Sequence, residues 1–410
     1  MSLSSTHLSE DSETVSYTEP GNVQIRFLMV YKFAFVLFLI TECLSHSVLE
    51  SVVVPLRLPI YAVILIMLSL KISTQRYSYR AGALSLMIII LGTVSGVFAN
   101  SLSIMMTCFF IVASQGVSYR WYLRTTLIVV AVSAIVFPAL SILEIVPDKV
   151  IFRGESGTVR RSLGFAHPNT FAAAIMTICL CWVVLRFGKT TLADVIGQGI
   201  LVAFIFMISD GRMAALVSIL GIVYSIYYRF RHGYPMWLAR FAWILVIVLP
   251  LLSLYFMTNF SSQNAMHMQI DSIFSGRFSI LHALYQTYGY SMLGQPVELW
   301  GWGSVPQTAD GGIQLLDNVF IAFSIRYGFV LFIFVLLGYL LLLRFANRNG
   351  IGYMPMLIIV FFIYGFTETN FVLLATNISL VLLNLVVFED APCSLTDLVT
   401  NEIGFSEQCI

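Results

Sequence analysis

Charged residues are scarce in this sequence, and their scarcity excludes most soluble folds. Only 10% of the 410 residues are Asp, Glu, Lys or Arg, whereas a soluble domain typically carries about 25%. Hydrophobic residues make up 59% of the chain. Apolar runs of about 20 residues, enough to cross a hydrocarbon core of roughly 30 Å, recur from Gln24 to Phe388. The sequence therefore predicts an all-α membrane protein that crosses the bilayer many times.

Several recognisable motifs are also missing. Residues 1–24 lack the charged start, the short apolar core and the cleavage site of a signal peptide, so we expect a disordered tail there and another over 389–410. No Gly-rich phosphate loop with a Lys and no Asp-x-Asp pair occurs, which argues against an ATP-driven pump and a nucleotide-sugar transferase. We expect no metal, no cofactor and no nucleic-acid partner. The six cysteines predict apolar packing residues and no disulfide framework.

Twelve apolar runs predict about twelve transmembrane helices in one domain over residues 25–388. The runs are 25–43, 52–70, 82–99, 101–117, 124–145, 169–187, 191–209, 213–229, 236–258, 318–343, 351–367 and 371–388. The two longest segments between them, 147–168 and 259–317, are predicted loops. The run 101–117 is the weakest, and without it every later loop would change sides of the membrane.

Basic residues set the predicted orientation, because short cytoplasmic loops accumulate Lys and Arg. Thirteen fall on the side that also holds both termini: Arg26, Lys71, Arg76, Arg80, Arg120, Arg124, Arg186, Lys189, Arg229, Arg231, Arg240, Arg344 and Arg348. Eight fall on the other side: Arg57, Lys149, Arg153, Arg160, Arg161, Arg212, Arg277 and Arg326. The chain is therefore predicted to be N-in and C-in, with both long loops outside. Arginines placed against this bias favour bidentate recognition of phosphate or carboxylate.

The first candidate motif is Arg160-Arg161-Ser-Leu-Gly-Phe-Ala-His167-Pro168-Asn169, just before the run 169–187. Pro168 and Asn169 suit a helix start, whose unpaired N–H groups, together with two arginines and a histidine, favour an anion site. The alternative is an interfacial loop whose arginines meet lipid headgroups. The functional interpretation is favoured because a histidine at membrane depth is costly unless it is used.

A second motif, Ser-Asp210-Gly-Arg212, joins two runs with almost no loop between them. The aspartate and the arginine could simply pair with each other, or they could belong to a polar site.

A fourth motif, Asp317-Asn318-Val-Phe-Ile followed by Arg326-Tyr-Gly, begins the run 318–343. Asp317 could be an ordinary helix cap or a catalytic carboxylate.

The third motif lies in the long loop 259–317. Ser275-Gly276-Arg277 begins a stretch with apolar residues at helical spacing, which predicts an amphipathic helix lying on the membrane surface. Its aromatic side chains suit the interface as membrane anchors, with platforms for sugar stacking as the alternative: Phe278, Tyr285, Tyr288, Tyr290 and Trp300. Glu368, in a later short turn, either is a simple turn residue or closes the polar site.

Taken in order, these motifs resemble the landmarks of bacterial polysaccharide polymerases (Wzy type) of the O-antigen polymerase and ligase superfamily. The Gly-Phe-x-His-Pro-Asn form is similar to capsule and exopolysaccharide repeat-unit polymerases of Gram-positive bacteria. The resemblance implies a GT-C-like glycosyltransferase that uses a lipid donor on the outer face of the bacterial plasma membrane. It would transfer a growing chain from undecaprenyl pyrophosphate onto another lipid-linked repeat unit, with a flippase and a chain-length regulator as further partners.

The resemblance also implies roles for particular residues. Arg161, Arg212 and Arg277, supported by Arg160, would hold the donor pyrophosphate. Asp317 would act as the base, with His167 as the alternative base or a further pyrophosphate contact. The remaining polar residues of the site would be Asn169, Asp210, Asn318, Arg326 and Glu368. Ligases of this superfamily have a histidine where Asp317 stands, so the difference favours a polymerase, and a carboxylate base implies inversion at the anomeric carbon.

Two rival functions follow from the same features. A flippase or transporter for lipid-linked sugars would also have about twelve spans, but it should carry polar residues near the bilayer midplane and broken helices in matching halves. A ligase-like transferase to a different acceptor would share the donor site. The clustering of charge at the predicted outer ends favours the polymerase over the transporter.

Overall fold

Residues 22–153, 158–231, 236–299 and 316–388 are described by a computed structural model. The predicted tails fall outside these ranges, except that the first helix already begins at Asn22. Trp300 also falls outside the described residues. The helices are α1 (Asn22–Ser45), α2 (Glu50–Ser73), α3 (Tyr79–Phe98), α4 (Leu102–Ala113), α5 (Tyr119–Ile142), α6 (Pro168–Leu185), α7 (Leu192–Ser209), α8 (Arg212–Arg231), α9 (Met236–Asn259), α10 (Ala265–Ile273), α11 (Arg277–Tyr288), α12 (Val319–Ala322), α13 (Phe329–Asn349), α14 (Tyr353–Gly365) and α15 (Asn384–Val387).

Nine of the helices in the described ranges are long and apolar enough to cross a membrane. They are α1, α2, α3, α5, α6, α7, α8, α9 and α13. The prediction of a multi-pass helical membrane protein is confirmed in this form. The sidedness of the bundle stays a prediction.

The weak run 101–117 forms α4, a separate helix of 12 residues that spans only about 18 Å. One end of α4 meets α2 where Arg57 donates to the Ser103 hydroxyl, and the other end meets the residues after α2, where Gln75 donates to the carbonyl of Ala113. The chain therefore returns along α4 to the end of the bundle from which α3 started.

The last predicted run, 371–388, is not one helix. Two 3₁₀ turns, Thr369–Val372 and Leu380–Leu383, precede α15, and almost all of the segment is buried. Asn377 explains the break, because its side chain accepts from the N–H of Ser379 and donates to the carbonyl of Phe371. Such side-chain bonds compete with the helical ladder. Irregular backbone at this depth is tolerated because protein surrounds it.

The run 318–343 is also broken, contrary to the prediction. A π turn, Phe323–Tyr327, follows α12, and Gly328 with a φ of +105° separates it from α13. A Cβ on Gly328 would lie 2.6 Å from the backbone carbon of Leu293, so only glycine allows this close approach. The break sets Arg326 on the turn instead of on a continuous helix.

The predicted loop 147–168 contains a small antiparallel sheet, which corrects the all-α prediction in this segment. Strand β1 (Val150–Arg153) pairs with strand β2 (Thr158–Arg161), and Arg160 lies opposite Ile151. A further bridge joins Phe165 to Ser47, after α1. The sheet fixes the segment that leads into α6.

The helix predicted in the loop 259–317 is present as α11, and it begins at Arg277. Gly276, with a φ of +75°, turns the chain into the helix, and the carboxylate of Asp271 accepts from the N–H groups of Phe278 and Ser279. Phe278 is only 2% exposed and stacks on Phe256 of α9. The expectation that Phe278 anchors the helix in the membrane interface is therefore wrong, since its ring packs inside the protein.

Candidate active site

A cavity of about 240 Å³, here called the first cavity, lies at the end of the bundle where α6 and α8 begin. It is lined by Arg160, His167, Asn169, Ala172, Asp210, Gly211, Arg212, Met213, Ala214, Ser275, Arg277, Ile280, Leu281, Asp317, Tyr364 and Glu368. Four separate sequence motifs and the turn at Glu368 therefore meet at one place. Most of its lining residues are polar or charged, and Ile280 and Leu281 of α11 are among the apolar ones.

Arg277 lies between two acidic side chains of the first cavity. Its Nη2 atom is 3.6 Å from Oδ2 of Asp317 and 3.5 Å from Oε1 of Glu368. Its Nη1 group donates to the backbone carbonyl of Thr367. The side chains of Asp317 and Glu368 are 14% and 12% exposed. One guanidinium therefore supports two nearly buried carboxyl groups, and the bond to Thr367 fixes its position.

Asn169 connects a second arginine to the same carboxyl group. Its side-chain oxygen accepts from Nη2 of Arg160, and its amide nitrogen donates to Oε1 of Glu368 over 3.1 Å. Nε of Arg160 also donates to the carbonyl of Ser209 over 2.7 Å. Asn169 is the second residue of α6, so the helix start fixes this relay. Oε1 of Glu368 is therefore engaged by both Asn169 and Arg277.

Asp317 is not a helix cap. Asn318 caps α12, since its side-chain oxygen accepts from the N–H groups of Phe320 and Ile321. The amide of Asn318 donates to Ser253 and to the carbonyl of Phe366, and the residue is 1% exposed. The prediction that Asn318 belongs to the polar site is therefore wrong, because its side chain does not line the cavity. Asn318 instead holds the backbone next to Asp317. The carboxylate of Asp317 remains available to the site.

The start of α8 forms another wall. Asp210 has a left-handed backbone with a φ of +46°, and its carboxylate accepts from Nε of Arg212 over 3.0 Å. Gly211 is required here, because a Cβ at this position would lie 2.5 Å from Cβ of Ala172 in α6. Backbone N–H groups in the first turn of a helix lack helical acceptors, and the helix dipole adds positive charge there. Asp210 and Arg212 therefore pair with each other, and the pair also lies within the polar site.

His167 is the N-cap of α6, and its Nδ1 atom accepts from the N–H of Asn169 over 3.1 Å. Burial, with the charges of Arg160 and Lys149 nearby, lowers the pKa of His167 to about 4. The imidazole is therefore neutral near pH 7, and its proton is on Nε2. A neutral ring that uses Nδ1 as a cap can donate a hydrogen bond through Nε2 but is a poor base.

The two carboxyl groups on Arg277 are shifted in the same direction. Burial raises the pKa of Asp317 despite the opposing charge of Arg277. Burial also raises the pKa of Glu368 to about 7, with Arg277 lowering it and Asp317 raising it. Three arginines, Arg160, Arg212 and Arg277, line the cavity. Because burial disfavours the charged forms of Asp317 and Glu368, the arginines are not fully balanced by carboxylates, which suits an anion.

No family model, curated protein or solved structure matches the chain.

Arg161 does not reach the first cavity, contrary to the role expected for it. Successive residues of a strand point to opposite faces, so Arg160 of β2 is buried against the cavity while Arg161 is 51% exposed. Nε of Arg161 donates to Asp148 over 2.6 Å, and Asp148 also accepts from the N–H of Leu163. Arg161 thus stabilises the loop, and Arg160 is the arginine that the cavity uses.

Arg326 is also placed elsewhere than expected. Its guanidinium lies over the ring of Tyr327 and lines a separate cavity, here called the second cavity. Tyr364 also lines the first cavity, and no pattern in the sequence indicated it. Within the described ranges, no group of three or more His, Cys, Asp or Glu side chains is arranged to hold a metal ion.

Proposed function

We propose that the protein is a membrane glycosyltransferase that polymerises lipid-pyrophosphate-linked oligosaccharide repeat units, with the first cavity as its active site on the outer face of the membrane. The donor would be a growing chain on undecaprenyl pyrophosphate, and the acceptor another lipid-linked unit. The observation that carries the proposal is the grouping of Arg160, Arg212 and Arg277 around the carboxyl groups of Asp317 and Glu368.

The arginines would bind the pyrophosphate of the donor. Guanidinium groups match phosphate oxygens in charge and geometry, and the start of α8 adds backbone donors. As the bond between the anomeric carbon and the pyrophosphate oxygen breaks, the electron pair stays on that oxygen. Arg160, Arg212 and Arg277 then stabilise the increased negative charge of the leaving group.

Glu368 is assigned as the general base. A base works best when its pKa lies near the working pH, and the pKa of Glu368 is about 7. The proton of the acceptor hydroxyl passes to Glu368 while the acceptor oxygen forms a bond to the anomeric carbon. Asp317, the base expected from sequence, instead keeps the pKa of Glu368 high and holds Arg277. Asn169 orients the carboxyl group through its hydrogen bond.

His167 would donate a hydrogen bond from Nε2 to a phosphate or sugar oxygen, because its ring is neutral and Nδ1 is already used. Direct attack by the acceptor on the side opposite the pyrophosphate inverts the anomeric configuration, with no covalent sugar intermediate and no role for a metal. The product's linkage therefore tests the geometry of the proposal.

The distribution of these groups also supports a transferase over a flippase. A transporter would need its polar groups near the midplane of the bundle, whereas those of the first cavity come from helix ends and connecting segments: β2, the start of α6, the α7–α8 turn and the start of α11. A ligase-like transferase with another acceptor shares the same donor chemistry. Incubation of the purified protein with a defined lipid-linked repeat unit separates the three functions by their products.

A further inference from the structure

The second cavity has a volume of about 300 Å³ and lies beside the first. Two chain segments separate them, and each contributes neighbouring residues to both sides. Leu316 lines the second cavity and Asp317 the first, while Thr369 lines the second and Glu368 the first. A ligand in the second cavity therefore lies next to the two carboxyl groups of the proposed reaction.

Two arginines give the second cavity its charge. Nη2 of Arg57 donates to Ser103 over 3.0 Å and lies 3.3 Å from Oε1 of Glu42, a side chain only 1% exposed. Nε of Arg57 is buried and has no hydrogen-bond partner among the described residues. Glu42 therefore balances the charge of Arg57 but leaves some of its donors unused.

Arg326 has no carboxylate partner among the described residues. Its guanidinium makes a long hydrogen bond of 3.5 Å from Nε to the carbonyl of Ala99 and lies over the ring of Tyr327. Its other guanidinium nitrogens donate to no acceptor among the described residues, and Asn100 and Asn370 line the same cavity beside several apolar side chains. With Glu42 neutralising Arg57, the charge of Arg326 makes the second cavity net positive.

Backbone donors reinforce this charge. The N-cap of α4 is Ser101, whose side chain makes no capping hydrogen bond, and Ser101, Leu102 and Ser103 all line the cavity. The first turn of a helix offers N–H groups and the positive end of its dipole. Asn100 precedes it with a φ of +48°, a strained conformation for a residue other than glycine. Two planar guanidinium groups, together with helix-start amides, match the oxygens of a phosphate.

We propose that the second cavity binds a phosphate group through Arg326 and Arg57. Resting on the proposed function, we assign this phosphate to the pyrophosphate of the acceptor substrate, while the first cavity holds that of the donor. A polymerase must hold two lipid-linked substrates at once. Two neighbouring phosphate sites that share a wall meet that need.

Binding of inorganic pyrophosphate to the purified full chain tests the site without reference to any reaction. The intact protein should bind two equivalents. Arg326→Ala and Arg277→Ala should each remove one site and keep the other. Ser103→Asp should also remove the second site, because a carboxylate there adds a negative charge to the cavity and engages Arg57. The variant should still fold, since an acidic residue in the first turn of α4 favours the helix. Arg240→Ala, which removes an exposed charge outside both cavities, should leave two sites.

Loss of charge-assisted hydrogen bonds should weaken pyrophosphate binding at the second site about tenfold or more in Arg326→Ala, with Arg326→Lys intermediate. A single site in the intact protein, or two unchanged sites in both Arg326→Ala and Ser103→Asp, would overturn the proposal. This outcome does not depend on polymerase activity, so two pyrophosphate sites in a protein that forms no polymer would leave the site standing and refute the proposed function.

Acceptor kinetics test the assignment of the phosphate. In this assay the donor substrate has its own acceptor hydroxyl methylated, so it cannot accept a sugar chain. The acceptor substrate is a phosphonate analogue in which a CH₂ group replaces the anomeric oxygen, so it cannot donate its chain. The intact protein should use this acceptor at a KM at least tenfold below that of the same oligosaccharide without phosphate. Arg326→Ala should erase that difference and leave the donor KM unchanged.

A lipid headgroup is the other source of phosphate. If nanodiscs of phosphatidylglycerol, but not of phosphatidylcholine, displace pyrophosphate from the second site, and Arg326→Ala leaves the acceptor KM unchanged, then the assignment to the acceptor is overturned.

Discussion

Nη2 of Arg277 lies 3.5 Å from Oε1 of Glu368, in a cavity where the same arginine also contacts Asp317. Neither contact to a carboxylate is a short hydrogen bond, and the guanidinium is fixed instead by its bond to the carbonyl of Thr367. In the proposed mechanism, Arg277 keeps its position through Thr367 while its other donors turn toward a phosphate. Proton uptake by Glu368 would then change the charge that a pyrophosphate meets.

Glu368→Gln and Asp317→Asn should have different effects on the pH profile of transfer. Glu368→Gln removes the base and should lower kcat about 10²-fold to 10⁴-fold at every pH. Asp317→Asn removes a charge that raises the pKa of Glu368, so the acidic limb of the rate, near pH 7 in the intact protein, should move to lower pH while turnover remains. The measurement is kcat for polymer formation between pH 5 and 9. The reverse pattern, loss in Asp317→Asn and a shifted limb in Glu368→Gln, would make Asp317 the base.

Arg160 and Arg161 form a matched pair on one strand. Arg160→Ala should lower kcat about 10²-fold or more, because it removes a cavity charge and the donor to Asn169. Arg161→Ala removes an exposed contact to Asp148, so its effect should stay within a few-fold. Polymer yield from membranes with equal amounts of each variant is the readout. Equal losses in both variants would show that the strand does not separate the two side chains as described.

Gly211→Ala should destabilise the protein without removing any polar group. The added methyl group would lie 2.5 Å from Cβ of Ala172, and such overpacking typically costs about 1–3 kcal/mol. The double variant Gly211→Ala with Ala172→Gly should recover much of the lost Tm, since it returns the space between α6 and α8. Thermal unfolding in detergent measures both. A single variant as stable as the intact protein would disprove the close approach.

Glu368→Gln should also change how stability depends on pH. The pKa of Glu368 rises from 4.5 to about 7 in the folded state, so between these values the folded protein binds more protons than the unfolded chain. The contribution of Glu368 to the free energy of unfolding is therefore fully present below about pH 4.5 and is lost as the pH rises through 7. The Tm of Glu368→Gln relative to that of the intact protein should therefore be higher at pH 8 than at pH 5. A constant difference in Tm would place the pKa of Glu368 near its usual value.

The sequence predicted the long helices well, because apolar length alone decides whether a segment crosses a membrane. It did not predict β1 and β2, since Thr158–Arg161 shows no alternation of apolar and polar residues. Without the strand, Arg160 and Arg161 were equivalent in the sequence, and Arg161, which does not reach the first cavity, was preferred as the main pyrophosphate contact. The breaks at Gly328 and Asn377 were also missed, because they depend on contacts with distant segments.

The grouping of the motifs was easier to anticipate than the role of each residue. Five arginines were singled out because they stand against the charge bias, and three of them meet at the first cavity. His167, Asp210, Asp317 and Glu368, which were singled out by their motifs and turns, also line it. Which carboxyl group has the raised pKa depends on burial and on the contacts of Arg277, which sequence does not give. The division between two cavities likewise depends on how the segments at Leu316 and Thr369 pack.

The most direct test is electrophoresis of the products that the purified protein forms from a defined undecaprenyl-pyrophosphate-linked repeat unit, with Glu368→Gln as the matched inactive variant. The intact protein should give a ladder of polymers spaced by one repeat unit, with inverted anomeric linkages, and Glu368→Gln should give the starting unit alone. Failure of the intact protein to form any product longer than one unit, while it moves that unit across a vesicle membrane, would contradict the proposed polymerase and identify a transporter.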